Sequence, residues 1–279
     1  MALKEILLII FGEHSIPIGL VKASRKISLV LHPFLESKKY LPFAHRGANY
    51  YKTENTLEAF REALDIGFTH IETDVRASKD GVPYIFHDQT LERLTGDKII
   101  INKLNSNDLG KIRMRGGTAI PKLEEILEEF PKTYFNLDAK SWDVVLPLAK
   151  TINNLKIFHR VCIGSFNDYR ISTLKKLING PICYSAGSLK ALNIVIRANL
   201  GIVPKITEPC IQLPLFFRGV KIINQSLVTK IKQSGAKLHI WGTNNECHIK
   251  ELIDFGVDGL MVDDCLLLKN ILIKKDIWE

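Results

Sequence analysis

The stretch His70-Ile71-Glu72-Thr73-Asp74-Val75-Arg76-Ala77-Ser78-Lys79-Asp80-Gly81-Val82-Pro83-Tyr84-Ile85-Phe86-His87 decides how the chain folds. Two β-rich runs, 70–74 and 82–87, flank the seven residues from Val75 to Gly81. A crossover helix needs about ten to twelve residues, so that gap cannot hold one. Lys79-Asp80-Gly81 reads instead as a tight turn, and the two runs as a hairpin. Folding the chain about the Lys79/Asp80 junction sets Glu72 roughly opposite His87.

Outward from this hairpin, short β-rich runs recur at 41–45, 133–138, 160–164, 181–185, 210–213, 237–241 and 257–262. Helical patterns lie between them. In 56–66, Leu57, Phe60 and Leu64 make one apolar stripe, Asn55 and Glu58 read as a capping box, and Gly67 marks the stop. In 244–255, Ile249, Leu252 and Ile253 share a face and Gly256 ends the helix. With the hairpin counted as one excursion, eight principal strands remain. Their alternation with helices predicts an α/β fold of TIM type, a (β/α)8 barrel whose strands present their carboxyl ends to one mouth.

The 279 residues, 46% hydrophobic and 24% charged, suit one such barrel of about 250 residues and argue against disorder. Residues 1–40 stand apart as an N-terminal extension before a barrel domain over 41–279. The extension carries an apolar run at 6–11, too short to span a membrane, and the basic residues Lys22, Arg25, Lys26, Lys38 and Lys39. It reads as a segment packed on the core, with weak contact to a membrane surface as the sharper alternative. The net charge of +8 and pI near 9.1 come from scattered lysines. They suggest a solvated surface first and attraction for anionic substrates or lipid head groups second. No aromatic-basic signature of nucleic-acid recognition is present. The five cysteines, Cys162, Cys183, Cys210, Cys247 and Cys265, lack CxxC spacing and read as free, mostly buried thiols that favour a reducing compartment. Together these features lead to the expectation of a soluble cytoplasmic protein.

The chemistry concentrates in the first part of the barrel. Glu72 and Asp74, two apart on a strand, project to one side and repel each other, so a positive charge must sit between them. A hard divalent cation with a third oxygen ligand from Asp138 answers that need. The alternative is an ion-pair arrangement among Glu72, Asp74, Arg46 and Lys140 without metal. His45 and Arg46 end the first strand before Gly47, and the planar fork of Arg46 suits two phosphate oxygens. His87 ends the hairpin on the same mouth. Two histidines flanking a metal-bound phosphate suit acid–base cleavage of a P–O bond, although which is acid and which is base is not readable. Asp88 reads as a cap for the following turn.

In order and spacing, His45-Arg46-Gly47, Glu54-Asn55-Thr56, Ile71-Glu72-Thr73-Asp74-Val75, Ser78-Lys79-Asp80-Gly81, His87-Asp88 and Leu91-Glu92-Arg93 resemble the glycerophosphodiester phosphodiesterase family of TIM-type barrels. Ile120-Pro121-Lys122-Leu123-Glu124-Glu125, Gly164-Ser165-Phe166 and Gly256-Val257-Asp258-Gly259-Leu260 through Asp263 extend the resemblance to the end of the barrel. It implies that His45 and His87 are the acid–base pair, and that Glu72, Asp74 and Asp138 hold one divalent cation, Mg2+ or Ca2+. Arg46, Lys140 and Trp241 would contact substrate, with Glu54 orienting the site by pairing with Arg46. Two departures stand out: Asp138 replaces a common glutamate, and Gly242 removes a side chain from the rim beside Trp241. The implied reaction is hydrolysis of glycerophosphodiesters to glycerol 3-phosphate and an alcohol. A lysophospholipase D is the alternative, with residues 1–40 or Leu215, Phe216 and Phe217 engaging the acyl chain. A non-enzymatic anion-binding barrel is the remaining reading.

Overall fold

The computed structural model describes residues 32–36 and 39–279. Most of the N-terminal extension, including the apolar run at 6–11 and the membrane-surface reading attached to it, lies outside the described residues. Eight parallel strands build the barrel: β1 (Leu41–His45), β2 (His70–Ala77), β4 (Tyr134–Ala139), β5 (Val161–Gly164), β6 (Cys183–Tyr184), β7 (Cys210–Pro214), β10 (Lys237–Trp241) and β11 (Gly259–Val262). Hydrogen bonding runs β6-β5-β4-β2-β1-β11-β10-β7, and a parallel bridge between Ser185 and Cys210 brings the two ends together, so the ring nearly closes. Helices follow these strands, from Leu57–Ile66 after β1 to Cys265–Lys274 after β11. Two small hairpin strands, β8 (Phe216–Phe217) and β9 (Val220–Lys221), stand outside the ring.

The predicted hairpin forms between β2 and β3 (Pro83–Ile85), but its register differs by one residue. Val75 pairs with Ile85 and Ala77 with Pro83, which centres the turn on Asp80. Ser78 N donates to Val82 O at 2.9 Å and Gly81 N to Ser78 O at 3.0 Å, with Gly81 at φ +80°. The turn therefore spans an odd number of residues, and Glu72 does not face His87 across a ladder. His87 lies beyond the last ladder pair, in the segment that reaches the mouth.

Strand alternation divides the core in two. Ala44, Ile71, Phe135, Ile163, Ile211, Leu238 and Leu260 belong to the large cluster between sheet and helices. Leu41, Phe43, Cys162, Cys183, Cys210 and Met261 belong to a second, inner cluster. The short turn Pro33–Leu35 closes the inner cluster from below. Phe34 is fully buried, lies edge-on to His70 with ring centroids 5.0 Å apart, and its carbonyl pairs with His70 Nε2 at 3.0 Å. A third cluster, with Tyr84, Phe86, Leu91, Ile101, Leu109, Met114 and Ile120, fills the excursion between β3 and the helix Leu123–Glu129.

The helix Leu57–Ile66 begins differently from expectation. Its N-cap is Thr56, whose hydroxyl accepts from Ala59 N at 3.1 Å, and Gly67 ends it in the left-handed region as predicted. Asn55 does not cap, because its side chain is committed to Asp74 and Thr73.

If Phe34 is the floor of the barrel, Phe34→Ala should lower unfolding stability by about 3–5 kcal/mol, as buried aromatic truncations do. Chemical denaturation would measure this, and an unchanged midpoint would show that the floor contributes nothing.

Candidate active site

Parallel register brings the acidic residues together. His45 lies beside Glu72 across β1 and β2, and Asp74 lies beside Asp138 across β2 and β4. Lys140, one residue past β4, places its Nζ 2.7 Å from Asp74 Oδ1 and 2.6 Å from Asp138 Oδ2. Arg46 Nε stands 3.2 Å from Asp74 Oδ2, and Arg46 Nη1 donates to Glu54 Oε1 at 3.0 Å. Asn55 Nδ2 donates to Asp74 Oδ2 at 3.0 Å, while Thr73 donates to Asn55 Oδ1 at 2.7 Å. Arg46 takes this position with a left-handed backbone, φ 54°, beside Gly47. A Cβ on Gly47 would meet the Ala59 backbone at 2.8 Å, so this corner admits no larger residue.

The charges explain the titration behaviour. Burial opposes ionisation of Asp74, but Lys140 and Arg46 beside it hold the carboxyl down at about 2. Glu72 is pushed up to about 7 by burial and by the Asp74 charge. Its Oε2 is buried without a hydrogen-bond partner, as is Asp138 Oδ1. Two orphaned carboxylate oxygens beside a third carboxylate form an all-oxygen donor set of the kind hard divalent cations take. Among the described residues the three carboxylates are not all drawn within 4.8 Å of one another, and the Lys140 ammonium bridges two of them.

The histidines are each held by a carboxylate. His45 Nδ1 lies 2.6 Å from Asp263 Oδ1, which leaves Nε2 turned toward Glu72 Oε2 at 3.6 Å. Burial alone would lower the His45 pKa, but the Asp263 hydrogen bond and the Glu72 charge raise it above the ordinary value. Asp263 is fixed in turn by Asn49 Nδ2 at 2.6 Å and Asn244 Nδ2 at 2.7 Å. His87 Nδ1 lies 2.7 Å from Asp88 Oδ1, and Arg93 Nε donates to Asp88 Oδ2 at 2.5 Å. Asp88 therefore positions His87 rather than capping a turn. Arg93 also binds both oxygens of Glu54, so Glu54 joins Arg46 to the His87 side of the mouth. His87 is close enough to Asp74 to help hold its pKa down.

An open cavity of about 400 Å³ at this mouth is lined by His45, Arg46, Thr53, Glu54, Arg115 and Asp263, among others. Trp241 packs edge-on to Phe166 across the rim at 6.1 Å, and Lys140 lies 5.7 Å from the Phe166 ring centre. Gly242 has φ +85° and open space around its Cβ position, so backbone conformation accounts for the glycine beside Trp241. Leu215 is buried and unavailable to an acyl chain, whereas Phe216 and Phe217 are exposed. The sequence reading gives Asn244 and Arg115 no role at the site, and Arg93 and Asp263 stand in it only as members of family motifs. The local signal for Asp263 is an aspartate at the carboxyl end of the last barrel strand.

The model of the glycerophosphoryl diester phosphodiesterase family matches residues 45–267. This chain belongs to that family. A probable glycerophosphodiester phosphodiesterase 2 of Mycobacterium tuberculosis is 32% identical over 253 residues, covering 88% of this chain and 96% of that protein. A human lysophospholipase D is 27% identical over 82% of this chain and 85% of its own length. Among solved structures, a phosphodiesterase of Oleispira antarctica in complex with the product sn-glycerol-3-phosphate superposes with a TM-score of 0.69. It shares 21% identity and covers 84% of this chain and 97% of that one, which establishes the barrel of the family as the common fold. Among the described residues no helix is long and apolar enough to cross a membrane.

Because Asp263 supports the raised pKa of His45, Asp263→Asn should move the His45 titration to lower pH. NMR titration of the imidazole would follow it, and an unmoved His45 would remove Asp263 from this role.

Proposed function

We propose that this phosphodiesterase hydrolyses glycerophosphodiesters to glycerol 3-phosphate and an alcohol at the β1–β2–β4 mouth, with one divalent cation, Mg2+ or Ca2+. The observation that carries the reading is the pairing of two carboxylate-held imidazoles with Glu72, Asp74 and Asp138 at one end of the barrel. Family membership supports the substrate class. Glu72, Asp74 and Asp138 would hold the cation, whose chemistry is to polarise a phosphate oxygen and lower the pKa of a bound hydroxyl.

The chain's own residues supply the rest. His45, which lines the cavity, and His87, held by Asp88 near Asp74, would exchange the nucleophile's and the leaving oxygen's protons. Arg46, held by Glu54, offers its remaining N–H groups to the phosphate. Lys140, which neutralises Asp74 and Asp138, would offer its ammonium to the phosphate at the same mouth. Trp241 and Phe166 would form an aromatic wall for the substrate beside Lys140. Trp142 and Phe166 are exposed in the loops after β4 and β5, and Tyr169 and Leu189 in the first turns of the helices Asp168–Leu177 and Ser188–Asn199. This apolar rim favours a second reading, action on lysophospholipids.

His45→Ala and His87→Ala should each reduce turnover of glycerophosphocholine by about 10²–10⁴-fold. A choline-release assay checks this, and full activity in either variant removes that histidine from the chemistry. In the same assay lysophosphatidylcholine decides between the readings by its kcat/KM relative to glycerophosphocholine. Below about 7 the proton on Glu72 competes with the cation, and above it the carboxylate is free. Activation by Mg2+ should therefore tighten from about pH 6 to about pH 8, and calorimetric titration showing the reverse trend would sink the Glu72 assignment.

A further inference from the structure

Three thiols gather inside the barrel, two layers below the mouth. Cys162 on β5 and Cys183 on β6 are direct cross-strand partners, and the Ser185–Cys210 bridge brings Cys210 of β7 alongside. All three are buried, and their sulfurs lie within 4.8 Å of one another. Cys162 Sγ and Cys210 Sγ are 3.9 Å apart. Sulfurs on a tetrahedral zinc with bonds of about 2.3 Å stand about 3.8 Å apart, so the Cys162–Cys210 pair is already at ligand spacing and Cys183 lies within 4.8 Å of both.

A second observation points the same way. His239 on β10, the strand paired with β7, is completely buried and has no partner at hydrogen-bond distance on Nδ1 or Nε2; its ring nitrogens stand outside the 4.8 Å cluster of the three sulfurs, so it joins them only by turning its ring toward the thiols. An imidazole buried with both nitrogens unpaired is unfavourable unless something binds it. Phe34, Leu35, Phe43 and Met261 surround the thiols and shut out water. Three thiolates and one imidazole are soft donors that recur at structural zinc centres, whereas Mg2+ and Ca2+ take oxygen.

We propose that Cys162, Cys183, Cys210 and His239 form a closed four-ligand site for Zn2+, separate from the carboxylate site at the mouth. Binding replaces three S–H protons by three sulfur–metal bonds, releases those protons, and needs no oxidant. With four protein ligands the site leaves no open position, so its role is to tie β5, β6, β7 and β10 together where the ring is least hydrogen-bonded.

The test uses the full chain, prepared anaerobically with reductant and treated with EDTA to strip any cation from the mouth. Elemental analysis should still find about one zinc per chain. Refolding with Co2+ should give thiolate-to-cobalt charge transfer in the near ultraviolet and intense tetrahedral d–d bands, which an all-oxygen site cannot produce. Cys162→Ser with Cys210→Ser should lose the zinc. In case that variant does not fold, His239→Gln keeps all three thiols and should shift the cobalt bands and speed zinc loss to a chelator. Glu72→Gln should keep its zinc. The proposal is overturned by reduced protein with neither zinc nor cobalt bands, by an intact mass two hydrogens light from a disulfide, or by cobalt bands that His239→Gln leaves unchanged. Zinc lost in Glu72→Gln would likewise assign the metal to the mouth and overturn it.

Discussion

Asp74 stays ionised inside a protein because three cationic or donor groups converge on it, and the mouth is organised around that requirement. Lys140 comes from just past β4, Arg46 from the corner after β1, and Asn55 from the residue before the N-cap of the next helix. A buried carboxylate with a missing partner costs several kcal/mol, so each of these segments is pinned in place by the same charge. Glu72, which no cation contacts as closely, rises to about 7 instead. Two neighbouring acids thus shift in opposite directions, because Lys140 and Arg46 touch Asp74 directly while Glu72 has only the more distant charges of His45 and Lys140 against its burial and the Asp74 charge.

The barrel interior is layered by chemistry. At the floor lie aromatic and aliphatic side chains with the thiols; above them Asn136 and Gln212 pair amide to amide at 3.0 Å. The carboxylates and histidines come last, at the carboxyl ends of the strands. Strand alternation produces this order, since His70, Glu72 and Asp74 on β2 climb the same inner face as Tyr134, Asn136 and Asp138 on β4. His70, stacked on Tyr134 and buried, is held neutral with its pKa lowered to about 3.

Much of this was legible in the sequence because its causes are local. Strand β1 and strand β10 fall where their apolar runs begin and end, and the glycines at 67 and 256 stop their helices in the left-handed region. Glu72 and Asp74 announce themselves by their spacing. What escaped depends on distance along the chain. The Asp263 partner of His45 lies 218 residues away and meets it only because β11 pairs with β1. The cysteine cluster has no local spacing either, since barrel closure alone gathers β5, β6 and β7. The hairpin register was misjudged by one residue, because whether a turn holds an even or odd number of residues depends on Ser78 and Gly81 hydrogen bonds that composition does not encode.

Arg46 carries a further implication. A non-glycine residue held at φ 54° gives up about 1–2 kcal/mol that glycine would recover. The position is thus kept for its guanidinium at the expense of its backbone. If Arg46 grips phosphate as proposed, robustness and turnover pull this single residue in opposite directions, and a more heat-tolerant descendant of the protein that relaxed here would do so as a poorer catalyst.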